Sequence, residues 1–240
     1  MTNEDPLEFK SSINSMYGHI HQSQRYAKGA ILFAAYAEHI EKSVDYPDRY
    51  VNYHINCSSS IIFSYLCLEA YINELHYWLI TPEKFSEELQ FHKYPLDSST
   101  RSKLEHFISA RSDKTLEKYI GIALTCANLE LKTGDILFQN VNLLSKLRNE
   151  LVHYKLSVST LIEDGKLIDP IANLKEKLTG KFTLNPLTHS DGFPDLYFPD
   201  QVVSLGAAQW AYRSVYEFID DFHGQISWPP HERLPEPPKF

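Results

Sequence analysis

Apolar residues recur at helical spacing along most of the chain, and they predict a bundle of long helices. The clearest stretch has six apolar positions at steps of three and four residues: Ile61, Tyr65, Leu68, Ile72, Leu75 and Leu79. Such steps place all six side chains on one face of a helix. We therefore predict a central helix over residues 49–80, and further apolar side chains on its opposite face indicate that it is buried nearly all round.

Similar patterns predict helices on both sides of this central one. In chain order they are 11–44, 82–90, an element opened by a capping box at Ser102–Glu105, 113–132, 136–156, 171–178 and 200–223. Lys132-Thr133-Gly134 is a C-terminal signal for the helix 113–132, because glycine adopts the left-handed conformation that often ends a helix. Asp135 then follows as the expected N-cap of the helix 136–156.

The sequence after residue 157 departs from helical spacing in three places. Residues 160–169 hold two short apolar pieces around Asp164-Gly165, which predicts a small β-hairpin. Residues 180–199 are rich in Pro, Gly, Asn and Asp and predict a long surface loop. The tail is proline-rich, and we expect it to be extended over the surface or disordered.

Together these elements predict an all-α fold: a helical bundle with two long central helices and a small β-hairpin. We divide the chain into an N-terminal helix packing on the core (1–45), a helical domain (46–225) and the proline-rich tail (226–240). Within the helical domain, residues 50–156 carry the candidate site, and residues 157–225 form a C-terminal extension.

Composition narrows the class of protein. The chain has 240 residues, of which 43% are hydrophobic, and this is ample for a sizeable core. The formal net charge of −8 argues against sequence-blind coating of nucleic acid, which needs a large basic surface, although a small local RNA site remains open. Cys57, Cys67 and Cys126 are too few and too scattered for a disulfide framework, so we expect reduced core residues of an intracellular protein.

The N-terminal sequence is polar and acidic and lacks the basic start and apolar run of a signal peptide. No stretch reaches the roughly 18 apolar residues that a membrane span requires. We therefore expect a soluble, cytoplasmic protein with no membrane partner.

The helix 136–156 is the most informative one for function. Its core stripe, drawn at 100° per residue, consists of Val141, Leu144, Leu147, Leu151 and Tyr154. Its far side carries Asn142, Ser145, Asn149, Val152, His153 and Leu156, with Arg148 at the edge. Because such a mixture of polar groups and exposed aliphatic side chains suits a helix from a second subunit, we predict a homodimer interface that includes Ser145, Val152 and Leu156.

The sequence R-N-E-L-V-H at 148–153 resembles the signature of the HEPN superfamily (higher eukaryotes and prokaryotes nucleotide-binding). That signature is an arginine, four to six residues and then a histidine, with a polar residue directly after the arginine. Arg148, Asn149 and His153 match it, and Tyr154 follows the histidine.

A second stretch supports this resemblance. L-E-A-Y-I-N-E-L at 68–75 is similar to the earlier long helix of such domains, which often carries an acidic residue directed at the motif. Glu69 matches that acidic position, and Asn73 follows one turn later. The similar region spans about residues 50–156, and the remainder of the chain shows no such likeness.

The resemblance implies an all-α fold with the motif helix at a dimer interface. It also implies a metal-independent endoribonuclease of the kind found among toxins, phage-defence proteins and RNA-processing factors. In that chemistry His153 removes the proton from the ribose 2′-OH, Arg148 neutralises charge on the phosphoryl oxygens, and Asn149 orients the phosphate or His153. The implied partners are an RNA substrate, a second copy of the chain, and an antitoxin or other regulatory protein.

Other interpretations of the same residues stay open. Arg148 and His153 could be a pair of cations that stabilise the end of a helix, and Glu69 could pair with Arg148 for stability alone. Asn73 and His76 could be polar residues with ordinary hydrogen bonds. The competing function is a non-catalytic helical dimer that binds a nucleotide or a protein partner.

The sequence predicts neither a metal nor a cofactor. Helical di-iron sites use two Glu-x-x-His pairs, whereas this chain has one, Glu150 with His153. The phosphate-loop, dinucleotide-binding and serine-hydrolase motifs are absent from the sequence.

Overall fold

The computed structural model describes residues 21–80, 96–109, 114–153, 162–163, 166–167, 172–187, 200–228, 230 and 233–238. Within these residues the chain is an all-α bundle, which confirms the predicted fold class. The helices are α1 (Gln22–Lys42), α2 (Arg49–Ile80), α3 (Ser98–Ser109), α4 (Thr115–Ala127), α5 (Ile136–Val152), α6 (Ala172–Leu178) and α7 (Leu205–Ile226). The predicted helix 82–90 lies outside the described residues.

Two short strands follow α5. β1 (Ile162–Glu163) and β2 (Lys166–Leu167) pair antiparallel, with Ile162 opposite Leu167, where the Asp-Gly pattern predicts a small hairpin. The element adds two residue pairs to an otherwise helical fold.

The central helix α2 has the predicted bounds. Its buried side chains include Tyr53, Cys57, Leu68, Tyr71, Ile72 and Leu75, and they point in several directions because α1, α4, α5 and α7 all pack against it. By length and composition alone, α2 is the one helix of the described residues that could cross a membrane, and half of its most apolar stretch is buried in the bundle. A buried core helix meets the same criteria.

The first helix packs along α2 through a stripe of small side chains. Ala27, Ala30, Ala34 and Ala37 are buried, and the Ser60 hydroxyl of α2 donates a hydrogen bond to the Ala30 carbonyl at 2.8 Å. Small side chains let two helix axes approach closely, because the separation of packed helices is set by the side chains at the contact. The described part of α1 is therefore built into the core, while residues 11–20 of the predicted helix lie outside the described residues.

Several predicted helix boundaries are wrong, and local hydrogen bonds explain the first, the start of α3. α3 begins at Ser98, and Ser102, the expected cap, lies inside the helix. Asp97 caps the helix instead, since its carboxylate accepts bonds from the Thr100 backbone N–H and hydroxyl, both at 2.9 Å. Aspartate is among the strongest N-cap residues, and this position precedes the serine that the spacing of a capping box selects.

Another wrong boundary is the end of α4, predicted at residue 132 but found at Ala127. Asn128 adopts the left-handed conformation, with φ at 51°. The Leu129 N–H then donates to the Ala123 carbonyl at 3.1 Å, as in the common glycine-ended helix terminus. Asparagine visits this region more readily than most residues, so the helix ends before Gly134 is reached.

The helix that carries the motif, α5, starts as predicted and ends four residues early. Asp135 occupies the N-cap position, although its side chain makes no capping hydrogen bond. His153 is the C-cap, and its backbone N–H donates to the Asn149 carbonyl at 2.9 Å. Val141, Leu144 and Leu147 are fully buried and Leu151 is partly buried, as the core stripe predicts. Tyr154 and Leu156 lie outside the described residues.

The last helix, α7, begins after Ser204, whose hydroxyl accepts a bond from the Ala207 N–H at 3.0 Å, and not at residue 200 as predicted. The preceding loop is not entirely on the surface. Asn185 is buried, and its backbone N–H donates to the Gln201 carbonyl at 2.8 Å. Its amide also donates to the Asp200 carbonyl at 3.0 Å.

A buried histidine fixes the end of α7. His223 Nδ1 lies 3.1 Å from the Trp228 carbonyl, and Nε2 lies 2.8 Å from the Tyr71 hydroxyl. A carbonyl only accepts, so the Nδ1–H of His223 is the donor in the first bond. The chain reverses at Ser227, which has a left-handed φ of 56°.

Beyond this reversal, the described tail residues 233–238 cross the groove between α1 and α7. The Leu234 side chain is only 8% exposed. The Tyr212 hydroxyl of α7 donates to the Pro235 carbonyl at 2.5 Å, and the Gln24 amide of α1 donates to the Arg233 carbonyl. The described tail is thus extended over the surface, one of the two predicted outcomes, and anchored at both helices.

Candidate functional site

The candidate site is organised around Tyr65, which lies where α2, α4 and α5 meet. Its side chain is 8% exposed. The Tyr65 hydroxyl donates to Thr115 Oγ1, on the first residue of α4, at 3.2 Å. It also accepts a long hydrogen bond from Ser145 Oγ of α5, at 3.5 Å. One phenol therefore connects three helices.

The Arg148 guanidinium lies over the ring of Tyr65, with Cζ 5.2 Å from the ring centroid. This distance is within the range of a cation–π interaction, in which the negative face of the ring attracts the cation. Arg148 Nη1 donates to Asn149 Oδ1 at 3.0 Å. Arg148 Nε is buried and has no hydrogen-bond partner among the described residues. The Tyr65 ring and the Asn149 side chain thus both hold the guanidinium.

The motif histidine is not brought to this arginine within one chain. His153 is exposed and caps α5, and no side-chain hydrogen bond joins it to Arg148 in the described residues. Five residues on an ideal helix separate two side chains by about 140°. The fold therefore joins two of the predicted catalytic residues, Arg148 and Asn149, and leaves His153 apart.

Of the two supporting residues on α2, Asn73 contacts α4 and not the motif helix. Asn73 Oδ1 accepts a bond from the Lys118 ammonium of α4 at 2.7 Å. Glu69 lies one helical turn after Tyr65 and one turn before Asn73, and it is partly buried. No ion pair joins Glu69 to Arg148 in the part of the chain that the structure describes. A role for Glu69 toward the motif stays a prediction.

Among the predicted interface residues, Val152 is 45% exposed at the end of α5, beside His153. Ser145 is partly buried, and its hydroxyl faces Tyr65 of the same chain. Leu156 lies outside the described residues, as does the supporting residue Tyr154. The dimer interface remains a prediction, with Val152 as its exposed apolar residue.

Three further residues of this region are not part of the sequence motif: Tyr65, Thr115 and Lys118. Tyr65 falls in the apolar stripe of α2, so its spacing predicts a core residue only. The one available signal is that a hydroxyl in a mostly aliphatic stripe needs a partner when buried. Thr115 and Lys118 lie on α4, and their nearness to α2 depends on the packing of the two helices.

Lys118 also acts on its surroundings. Burial lowers the pKa of His76 to about 4, and the positive charge of Lys118 adds to that effect. The His76 Nε2 atom is buried without a hydrogen-bond partner among the described residues. His76 therefore stays neutral at mildly acidic pH, where a histidine of ordinary pKa takes up a proton.

Metal and thiol chemistry find no support in the described residues. No group of three or more His, Cys, Asp and Glu side chains there is placed to hold a metal ion. All three cysteines are free, and Cys57 and Cys67 are buried. Burial raises the pKa of Cys126 to about 12 and also raises that of Cys57, so both remain protonated and poorly nucleophilic at neutral pH.

No family model, curated protein or solved structure matches this chain. The likeness to HEPN domains therefore rests on residues 148–153 and on the long helix that carries Glu69.

Proposed function

We propose that this protein is a metal-independent endoribonuclease of the HEPN type that acts as a homodimer. The observation that carries the proposal is the unit formed by Arg148 and Asn149, two adjacent motif residues whose side chains are hydrogen-bonded to each other. A guanidinium offers several N–H donors in one plane, which suits the oxygens of a phosphate.

The proposed reaction is transfer of the RNA phosphoryl group to the neighbouring 2′-oxygen. The His153 imidazole takes the proton from the 2′-OH, and the oxygen attacks the adjacent phosphorus. The bond from phosphorus to the 5′-oxygen breaks, and a second histidine returns a proton to that oxygen. Arg148 neutralises the charge that develops on the phosphoryl oxygens. The products are a 2′,3′-cyclic phosphate and a 5′-OH end.

A second copy of the chain would bring the missing histidine. Among the described residues no hydrogen bond joins the side chains of His153 and Arg148 within one chain. A two-fold axis near the end of α5 would place His153 of each copy toward the Arg148 of the other. The exposed Val152 next to His153 supports an axis at this place. The dimer would then hold two histidines, one as the base and one as the acid.

The separation of His153 from Arg148 also favours a second function. If no partner helix completes the site, Arg148 and Asn149 form a binding surface without a proton acceptor. The protein would then be a non-catalytic helical dimer that binds a nucleotide or a regulatory protein. The catalytic form would instead act as a toxin, a phage-defence factor or an RNA-processing factor. If it is a toxin, an antitoxin would be its partner.

The test is cleavage of labelled single-stranded RNA by the purified protein, with the same DNA sequence as a control. Cleavage should persist in EDTA and leave DNA intact, because the attacking group is the 2′-OH. His153→Ala should lower the rate by about 10² to 10⁴. Arg148→Ala should lower it by about 10² to 10³. Lys146→Ala removes an exposed cation from the same helix and should leave the rate unchanged.

Three results would contradict the catalytic proposal: full activity in folded His153→Ala, activity that vanishes in EDTA, and products that carry a 5′-phosphate. Circular dichroism shows that each variant is folded. Binding of RNA or nucleotide without cleavage by the wild type would favour the non-catalytic dimer.

A further inference from the structure

We propose that Tyr65 is the positioning residue of this site. Its ring is the platform that sets the plane of the Arg148 guanidinium, and its hydroxyl fixes the ring through α4 and α5. The catalytic part of the test rests on the proposed function, whereas the geometric part does not. Nothing in the R-N-x-x-x-H pattern assigns Tyr65 a role, since it lies 83 positions before Arg148 (148 minus 65).

The ring acts on the guanidinium through its face. An arginine side chain has several rotatable bonds, and fixing it costs rotamer entropy. The Tyr65 ring, 5.2 Å from Cζ, attracts the planar cation and limits its tilt. The bond from Nη1 to Asn149 then limits rotation within the plane. These two contacts leave Arg148 oriented before a ligand arrives.

The hydroxyl fixes the ring in turn. It donates to Thr115 at 3.2 Å and accepts from Ser145 at 3.5 Å, so it is anchored from two helices. Because the hydroxyl lies on the long axis of the ring, these bonds fix the direction of that axis. Ser145 and Arg148 are three residues apart on α5. Ser145 contacts the Tyr65 hydroxyl, and Arg148 lies over the Tyr65 ring. The position of the Tyr65 ring and that of the Arg148 guanidinium therefore both depend on α5.

A purely structural role predicts something different for Tyr65. In that case it would behave like Tyr119, another buried tyrosine, whose hydroxyl donates to the Leu68 carbonyl at 2.9 Å. Tyr119 packs against Phe218 and Phe222. Loss of the Tyr119 hydroxyl should lower the stability of the protein and leave the orientation of Arg148 unchanged. Tyr119→Phe is therefore the matched control for Tyr65→Phe.

The geometric test is NMR of the Arg148 Nε–H group in the full-length protein, with the resonance assigned from its absence in Arg148→Lys. A proton above an aromatic face is shifted upfield by the ring current. We expect that shift in the wild type, its loss in Tyr65→Leu, and its retention with broadening in Tyr65→Phe. Tyr119→Phe should leave the resonance in place. An unchanged resonance in folded Tyr65→Leu would overturn the proposal.

The kinetic test uses the same variants with single-stranded RNA. Cation–π contacts of this kind correspond to about a 3- to 30-fold effect, which we expect in kcat for Tyr65→Leu, with a smaller change in KM. Tyr65→Phe keeps the ring and should lose about 2- to 5-fold, while Tyr119→Phe stays at the wild-type rate. If Tyr65→Leu does not fold, the phenylalanine pair decides: equal kcat values in Tyr65→Phe and Tyr119→Phe would overturn the role of the hydroxyl.

If the wild type cleaves no RNA, the proposed function fails and the positioning role is judged by inorganic phosphate. Titration with phosphate should move the Arg148 Nε–H resonance in the wild type. In Tyr65→Leu, the phosphate concentration needed for half of that change should rise about 3- to 30-fold. Equal titrations of the two proteins would overturn the proposal.

Discussion

Glu74 of α2 accepts two hydrogen bonds from Ser23 of α1, one from the backbone N–H at 2.8 Å and one from the hydroxyl at 2.5 Å. The carboxylate is only 7% exposed, so these bonds replace much of its hydration. Ser23 lies in the first turn of α1, where backbone N–H groups lack partners within the helix and the helix dipole attracts an anion. Glu74 thus caps α1 through Ser23, which lies 51 positions earlier in the chain.

We predict that Glu74→Gln lowers the free energy of unfolding by about 1 to 3 kcal/mol, because hydrogen bonds to a buried charged group are strong. Urea denaturation measures it. Glu217→Gln, which changes an exposed carboxylate on α7, should stay within about 0.5 kcal/mol of the wild type. A Glu74→Gln protein as stable as the Glu217→Gln protein would show that the cap contributes little.

Val152 provides the test of assembly. A charge in the centre of an apolar contact loses its hydration, so Val152→Asp should weaken a dimer formed at the end of α5 by at least about 10-fold in Kd. Sedimentation at micromolar concentration distinguishes monomer from dimer. Ile136→Asp, at the opposite end of the same helix and also exposed, should leave the dimer intact. A monomeric wild type would remove the basis for a site shared by two copies.

His76 makes stability depend on pH. Its pKa is lowered from 6.5 to about 4, mainly by burial and further by Lys118. Between these two values the unfolded chain binds a proton that the folded chain does not, so stability is full above pH 6.5 and falls as the pH drops toward 4. His76→Gln should flatten this part of the stability curve. Denaturation at pH 4.5 to 7.5 tests it, with the exposed His106→Gln as the control. Equal slopes for the wild type and His76→Gln would contradict the assignment.

The tail should contribute measurably to stability. Leu234→Ala removes a buried side chain between α1 and α7, and we expect a loss of about 1 to 3 kcal/mol. The weakened tail should also become more susceptible to protease, because local unfolding exposes its backbone. Glu236→Ala, an exposed neighbour, serves as the control for both measurements. Identical proteolysis of Leu234→Ala and the wild type would show that the tail is held by its backbone contacts alone.

Much of the fold could be predicted because the same signal, apolar residues at helical spacing, repeats along the chain. The bounds of α2 follow from many apolar positions that agree with one another, so no single residue decides them. The start of α3 and the end of α4 were mispredicted because each depends on one side chain. Asp97 and Asn128 each outcompete a nearby alternative, Ser102 and Gly134, and local spacing does not show which of the two wins.

The candidate site was predictable only in part, for a related reason. Arg148 and Asn149 are adjacent in sequence, so their contact needs only a helix. The contact from Ser145 to Tyr65 spans 80 positions and that from Lys118 to Asn73 spans 45, and both arise from helix packing. α5 ends at Val152 with His153 as its C-cap, and the helical spacing of the motif does not mark that end.

The packing of α7 and the tail on α1 has a consequence for folding during synthesis. Gln24 and Arg233, which are hydrogen-bonded, lie 209 positions apart, and Ala30 and Ala34 line the same groove as Ala208 and Tyr212. α1 can pair with α2 as soon as both leave the ribosome, but its second apolar face stays open until α7 has been made. A nascent chain stopped before α7 exposes that face and is prone to aggregation. Translation products truncated before residue 205 should therefore be insoluble or bound to chaperones.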